Sequence, residues 1–261
     1  MLIFDSGAGG LSFLKIINKR MPNIKYIYIL DNEAFPYGNK TELFLIERSI
    51  KIINIIKKKY PITIVVIACN TVSTVALSTL RKKFNFPIIG IFPRIKAAEK
   101  ITKNKIIGLI ATKRTINSSY TQNIIYKKSS CNIIKVIGTN KLALIAEKKI
   151  RGLKFSKISL ANIFKPWNQV QKKPDTIILG CTHFLLLKKE IKKILCTPYI
   201  YFIDSTEIPL LQIKKYFAKF NKNQIIQKNI FFYSEYNKEL RELLFFLKQY
   251  DFYTIQHIII N

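Results

Sequence analysis

Two stretches of this chain repeat one pattern. Residues Ile62 to Thr71 read Ile-Thr-Ile-Val-Val-Ile-Ala-Cys-Asn-Thr, and residues Asp175 to Phe184 read Asp-Thr-Ile-Ile-Leu-Gly-Cys-Thr-His-Phe. Each is a short apolar run rich in β-branched residues, the pattern of a strand buried on both faces. Each ends in a small residue, a cysteine and hydrogen-bonding side chains. Ligands of open α/β sheets bind just beyond the carboxyl ends of strands. Two strand-end thiols, one per half of the chain, therefore mark where chemistry is expected.

The rest of the chain repeats around them. Leu2 to Phe4 reads as a strand, followed by Asp5-Ser6-Gly7-Ala8-Gly9-Gly10 and a helix with Leu11, Leu14 and Ile17 on its apolar side. A strand at Tyr26 to Leu30 leads to a turn with Phe35-Pro36-Tyr37-Gly38, then a helix from Glu42 to Lys59. The strand ending at Cys69 follows, with a helix from about Val72 to Lys83 and a strand between Pro87 and Pro93. The order then restarts: a strand from Lys105 to Ala111, the polar Thr112-Lys-Arg-Thr115, a strand from Ile133 and a helix over Leu142 to Ile150. A helical stretch broken by Pro166 comes next, then the strand ending at Cys181, a helix over Leu185 to Leu195, and a strand to Ile203. Asp5 precedes Cys69 by 64 residues and Thr112 precedes Cys181 by 69. The tail adds a strand at Ile230, a helix near Leu240 and a last strand that returns to the first half. Alternating strands and helices imply parallel sheets with right-handed crossovers. The fold class expected is α/β: two similar domains with mainly parallel sheets facing across a central cleft. The first takes residues 1–92 and 206–261, the second residues 93–205.

Composition bounds this picture without deciding function. At 261 residues and 49% hydrophobic the chain can bury two cores, and it is not of disordered type. No apolar run approaches the ~18 residues of a membrane span, and Met1 leads straight into a strand-like run, so neither a membrane segment nor a signal peptide is expected. Four cysteines without close spacing favour reduced thiols and a cytoplasmic location. The 44 Lys+Arg against 15 Asp+Glu give a net charge of +29. That surplus attracts polyanions non-specifically. It is spread over nearly every helix, as in Lys57-Lys58-Lys59, and no specific nucleic-acid surface is expected from it.

Most candidates also have an ordinary structural reading. A buried strand-end cysteine is usually a small apolar filler, and Cys131 and Cys196, lacking polar company, keep that reading. Cys69 and Cys181 sit in matching places, each opening on a helix N-terminus whose partial charge favours thiolate. If the domains face each other, the two thiols flank one small ligand. Asp5 and Ser6 suit a turn or, alternatively, the polarising of a thiol and the holding of a carboxylate. Gly7-Ala8-Gly9, with Asp31 ending the second strand, has the start of a dinucleotide fingerprint, but Ser12 replaces its third glycine and Asp5 would repel a pyrophosphate. His183, two residues from Cys181, suits an orienting group or a proton relay. His257 reads as structural. Glu147, beside Leu144 and Ile150, reads as a surface residue, unless it points into the cleft and complements His183.

Asp5-Ser6-Gly7-x-Gly9-Gly10, Pro36-Tyr37-Gly38, Ala68-Cys69-Asn70-Thr71, Ala111-Thr112-x-x-Thr115 and Leu179-Gly180-Cys181-Thr182-His183 resemble, in order, signature segments of the bacterial glutamate racemases. The resemblance runs over nearly the whole chain. It implies cofactor-independent interconversion of L- and D-glutamate for peptidoglycan synthesis, with Cys69 and Cys181 as the acid/base catalysts assisted by Asp5 and His183. It implies substrate contacts at Asp5, Ser6, Tyr37, Gly38, Asn70, Thr71, Thr182 and His183, with Glu147 behind them. It implies no cofactor and no metal, and leaves monomer and homodimer open. Leu185 and Arg94 depart from the family pattern, as does a short first strand. A racemase for aspartate or another amino acid, or a basic nucleic-acid-associated protein, are the alternative functions.

Overall fold

The computed structural model describes residues 1–128, 132–196, 199–219 and 228–260. In chain order the elements begin β1 (Leu2–Asp5), α1 (Gly9–Arg20), β2 (Ile27–Leu30), α2 (Glu42–Lys59), β3 (Val65–Ile67), α3 (Asn70–Lys83), β4 (Ile88–Gly90) and α4 (Ile95–Ile101). They continue with β5 (Ile106–Ala111), α5 (Lys113–Asn117), α6 (Ser119–Lys128), β6 (Ile133–Gly138), α7 (Lys141–Ile150), α8 (Lys157–Ile163) and α9 (Lys165–Asn168). The last are β7 (Thr176–Gly180), α10 (Lys188–Leu195), β8 (Tyr201–Ile203), α11 (Glu207–Lys219), β9 (Asn229–Tyr233), α12 (Lys238–Leu247) and β10 (Phe252–His257).

The strands form two sheets, ordered β10-β9-β2-β1-β3-β4 and β6-β5-β7-β8, and every pairing is parallel. Parallel sheets are covered on both faces, so their strands are apolar throughout. Successive residues of β1 accordingly feed opposite cores. Leu2 and Phe4 join Ile27, Ile29 and Val65 on one side, while Ile3 joins Tyr28, Leu30 and Val66 on the other. In the second sheet Ile110, Ile177 and Leu179 face one cluster, and Ile107, Leu109 and Ile178 the opposite one.

The repeat in the sequence is a repeat of topology. In each sheet the first strand of the unit pairs with the second on one side and the third on the other, giving β2-β1-β3-β4 and β6-β5-β7-β8. Each sheet thus reverses its winding between its first and third strands, the position where open α/β sheets bind ligands. Asp5 ends β1 and Cys69 follows β3; Thr112 follows β5 and Cys181 follows β7.

Several boundaries differ from the sequence expectation. The strand at Ile62 shrinks to β3, and the helix over Leu185 starts as a 3-10 turn at Thr182–Leu187 before α10. Two helices, α4 and α11, had not been expected; Leu210 and Ile213 of α11 pack into the core of the first sheet. Cys196 is exposed in the left-handed cap of α10, not a core filler. A helix end places its last side chains outward, and the local sequence does not show that the helix stops there. Cys131 lies outside the described residues. Among the described residues no helix is long and apolar enough to cross a membrane.

Candidate active site

The site is built from loops that leave the two switch points and meet face to face. Cys69 caps α3 and is 7% exposed; Cys181 precedes the Thr182–Leu187 turn and is 6% exposed; both are free thiols. Cys69 thus lies at the N-terminus of α3, beside the first amides of the helix. Asp5 ends the neighbouring strand β1, and its charge acts on the same thiol. Its carboxylate also accepts from the Ser6 amide at 2.7 Å and from the Thr182 hydroxyl, of the other sheet, at 3.2 Å.

On the Cys181 side His183 stands with Nδ1 3.7 Å from the sulfur and Nε2 2.8 Å from Glu147 Oε1. The Ala8 amide donates to the same Glu147 oxygen at 2.6 Å, and the Gly9 nitrogen lies 3.2 Å from His183 Nε2, which accepts from it only when Nε2 carries no proton. Glu147 is therefore not the surface residue that its helix suggested. It is 8% exposed because α7 turns this face onto the glycine turn of the first sheet. The glycines owe their place to that approach. A Cβ on Gly7 would meet Glu147 Oε1 and His183 Nε2, and one on Gly9 would meet the imidazole. Close contact between the halves, not a pyrophosphate, accounts for this stretch. Asp31, the supposed ribose acid, is buried in an ion pair with Arg48 at 2.7 Å and accepts from the Tyr37 hydroxyl at 2.6 Å.

The remaining candidates line the same junction. Thr71 Oγ1 lies 2.9 Å from Thr112 Oγ1 and 3.3 Å from Thr115 Oγ1, a ring of hydroxyls across the two sheets. Asn70 donates to Ser205 Oγ at 3.3 Å, while its own Oδ1 is buried with no protein partner. The Gly38 carbonyl accepts from Asn140 at 3.3 Å. Tyr37 is buried and its hydroxyl is held by Asp31, so its ring and main chain are what it offers the junction. Ser205, Glu147's link to Ala8 and the bridging by Thr112 and Thr115 are absent from the sequence reading. The Thr112-x-x-Thr115 motif was the only local signal for any of these three. A cavity of about 660 Å³, lined by Phe92, Arg94, Lys96, Tyr120 and Ser205, borders the junction without including either thiol.

The electrostatics of the two thiols differ. Burial pushes the Cys69 thiol well above its ordinary range; the Asp5 charge and the Cys181 sulfur add to this, against the pull of the Val72 and Thr71 amides. Burial also pushes the Asp5 carboxyl up to about 6, opposed by the charge of His183 and by the hydrogen bonds from Ser6 and Thr182. For His183 burial disfavours the charged ring. Hydrogen bonds to Cys181 and Glu147, with their charges, outweigh it and hold the imidazolium well above its usual range. One thiol is thus kept protonated beside a carboxyl group, while the other faces a cation.

Comparison with known proteins decides the family. The family model for Asp/Glu/Hydantoin racemase matches residues 13–212. The chain is 68% identical to the glutamate racemase of Buchnera aphidicola subsp. Acyrthosiphon pisum (strain APS) over 262 residues, covering 100% of both. The chain belongs to the glutamate racemases of this family. A second member, from Buchnera aphidicola subsp. Schizaphis graminum, is 60% identical over 261 residues and again covers 100% of both chains. Among solved structures, Escherichia coli glutamate racemase in complex with L-glutamate and the activator UDP-MurNAc-ala superposes with a TM-score of 0.93 at 36% identity, over 100% of this chain and 98% of that one. The chain is therefore an amino-acid racemase, an isomerase, with the two α/β domains of the glutamate racemases.

Proposed function

We propose that the protein interconverts L- and D-glutamate by a two-thiol acid/base mechanism in the cleft between residues 1–92 with 206–261 and residues 93–205, and that it works in the cytoplasm to supply D-glutamate for peptidoglycan. The reading rests above all on two free thiols at matching strand ends of facing sheets, held in opposite electrostatic settings.

Racemisation removes the Cα proton on one face and delivers a proton to the other. A free thiol titrates near ~8.5, so one must be held as thiolate and the other kept protonated. His183 Nδ1 stands 3.7 Å from the Cys181 sulfur, placed to donate to it, so Cys181 is assigned the base of the resting protein. Burial and the Asp5 carboxylate keep the Cys69 proton in place, so Cys69 is the acid. In the reverse direction the roles exchange, Asp5 assisting Cys69 and His183 returning a proton to Cys181.

The other residues hold substrate and stabilise the charge developing at Cα. The unpartnered Asn70 Oδ1 is an acceptor suited to the substrate ammonium. The hydroxyls of Ser6 and Thr71, with main-chain amides at the strand ends, that of Thr182 among them, supply donors to the carboxylates, and Tyr37 and Gly38 close the far side. Fixed donors in a dry site are worth far more than the same groups in water. Circular dichroism of an L-glutamate solution incubated with the purified chain tests the activity: the signal decays to zero if the reading holds and stays constant if it does not.

A further inference from the structure

A two-thiol racemase leaves its sulfurs with exchanged protons after every one-way turnover. When Cys181 has taken the Cα proton and Cys69 has given its own, one proton must leave Cys181 and one must reach Cys69 before the same reaction can repeat. While ligand fills the cleft, direct exchange with bulk water is poor, because the two residues are only 6% and 7% exposed even without it. The Cys181 side carries a chain of groups that ends in solvent: Nδ1 of His183 at 3.7 Å from the sulfur, Glu147 Oε1 at 2.8 Å from Nε2, and Glu147 in the wall of a cavity of about 340 Å³. Arg151, Glu239 and Asn32 line the same cavity. His183 has a partner in either neutral form. Protonated on Nε2 it donates to Glu147; with Nε2 bare it accepts from the Gly9 amide at 3.2 Å. A purely structural Glu–His pair has no need of a cavity behind the carboxylate.

We propose that Glu147 is the proton exit of the second thiol, passing the proton of Cys181 through His183 to water in that cavity. This rests on the two-thiol reading above. Once Cys181 carries the substrate proton, the His183 cation gives up its Nε2–H as an O–H forms on Glu147 Oε1, and Glu147 gives that proton to water. The neutral ring, with its remaining proton moved to Nε2, then takes the Cys181 S–H proton on Nδ1, which restores the sulfur as base, the ring as cation and Glu147 as carboxylate. Cys69 regains one proton from water as product leaves and the cleft opens, so the protein's charge is restored. In the opposite reaction direction the same chain carries a proton inward.

The test compares Glu147→Gln and Glu147→Asp with the unmodified chain in two assays: net conversion of saturating L- or D-glutamate, and L/D exchange in an equilibrated racemic mixture. Exchange at equilibrium needs no proton return, because each reverse turnover resets the sulfurs. Glu147→Gln is expected to lose roughly ten-fold or more in kcat for net conversion, several times its loss in exchange. Imidazole added at constant pH restores part of this, and Glu147→Asp retains more activity than the better-fitting Gln. Equal losses in both assays, or no response to imidazole, give Glu147 a packing role and overturn the proposal. Failure of the racemase reading itself is separate: the unmodified chain would then leave L-glutamate unchanged.

Discussion

Thr182 of the second sheet donates its hydroxyl to Asp5 of the first at 3.2 Å, so the carboxylate beside Cys69 is held from both halves of the molecule. Asp5 is fully buried, and its folded-state titration near 6 lies above the 3.8 of an exposed carboxyl. The fold binds this proton more tightly than the unfolded chain does. Its contribution to stability is complete below pH 3.8 and is lost as pH rises through 6; above that the ionised group weighs on the fold by about 3 kcal/mol. Asn in its place can still accept from Ser6 and donate to Thr182. Asp5→Asn is therefore expected to raise Tm at pH 8, to change it little near pH 3.8, and to lower kcat. Thermal unfolding at both pH values checks the sign; a lower Tm at pH 8 contradicts it.

The same titration sets the acid limb of activity. The kcat/KM of the unmodified chain should fall as pH drops through 6, when Asp5 takes up a proton. In Asp5→Asn that limb should disappear or move, and a pH–rate profile from 5 to 9 reads it.

The thiols differ from the exposed cysteine. Cys69→Ala and Cys181→Ala should each lose about 10²-fold or more in kcat in both directions, because the reaction needs both proton carriers. Cys196→Ala, on the surface at the end of α10, should keep turnover. Polarimetry of the three purified variants separates them; near-normal turnover in Cys181→Ala rejects its role.

Gly9 opens α1, where helix propensity alone favours alanine. Here the added methyl would strike the His183 ring and its backbone nitrogen. Gly9→Ala is expected to destabilise the chain by about 1–3 kcal/mol and to lower kcat more than it raises KM. Urea unfolding with steady-state kinetics checks both; a more stable, fully active variant contradicts the docking of His183 on this turn.

The sequence carried those parts of the site that are local. Cys69 and Cys181 were legible because an apolar strand followed by a thiol and polar residues is a feature of ten consecutive positions. Their matching places in the two sheets followed from the repeat. Glu147 was legible only conditionally: its neighbours on α7 give it an ordinary amphipathic setting, and the condition under which it complements His183 is met by the approach of Ala8 from the other half. Ser205 and the hydroxyl ring of Thr71, Thr112 and Thr115 depend likewise on contacts between residues 41 to 135 positions apart. The Gly7-to-Gly10 turn was recognised but its reason was not, since the side chains that crowd it arrive from residues 147 and 183.

Racemisation of L-glutamate in deuterated water tests the facing-thiol account most directly. With separate bases on opposite faces of Cα, the proton removed and the proton delivered are different atoms. Early D-glutamate should carry deuterium at Cα while recovered L-glutamate carries little, as read by mass spectrometry or proton NMR below about ten per cent conversion. Extensive early labelling of the L-glutamate pool, or D-glutamate that keeps the original hydrogen, would mean one shared base, leave Cys69 or Cys181 without its role, and contradict the account.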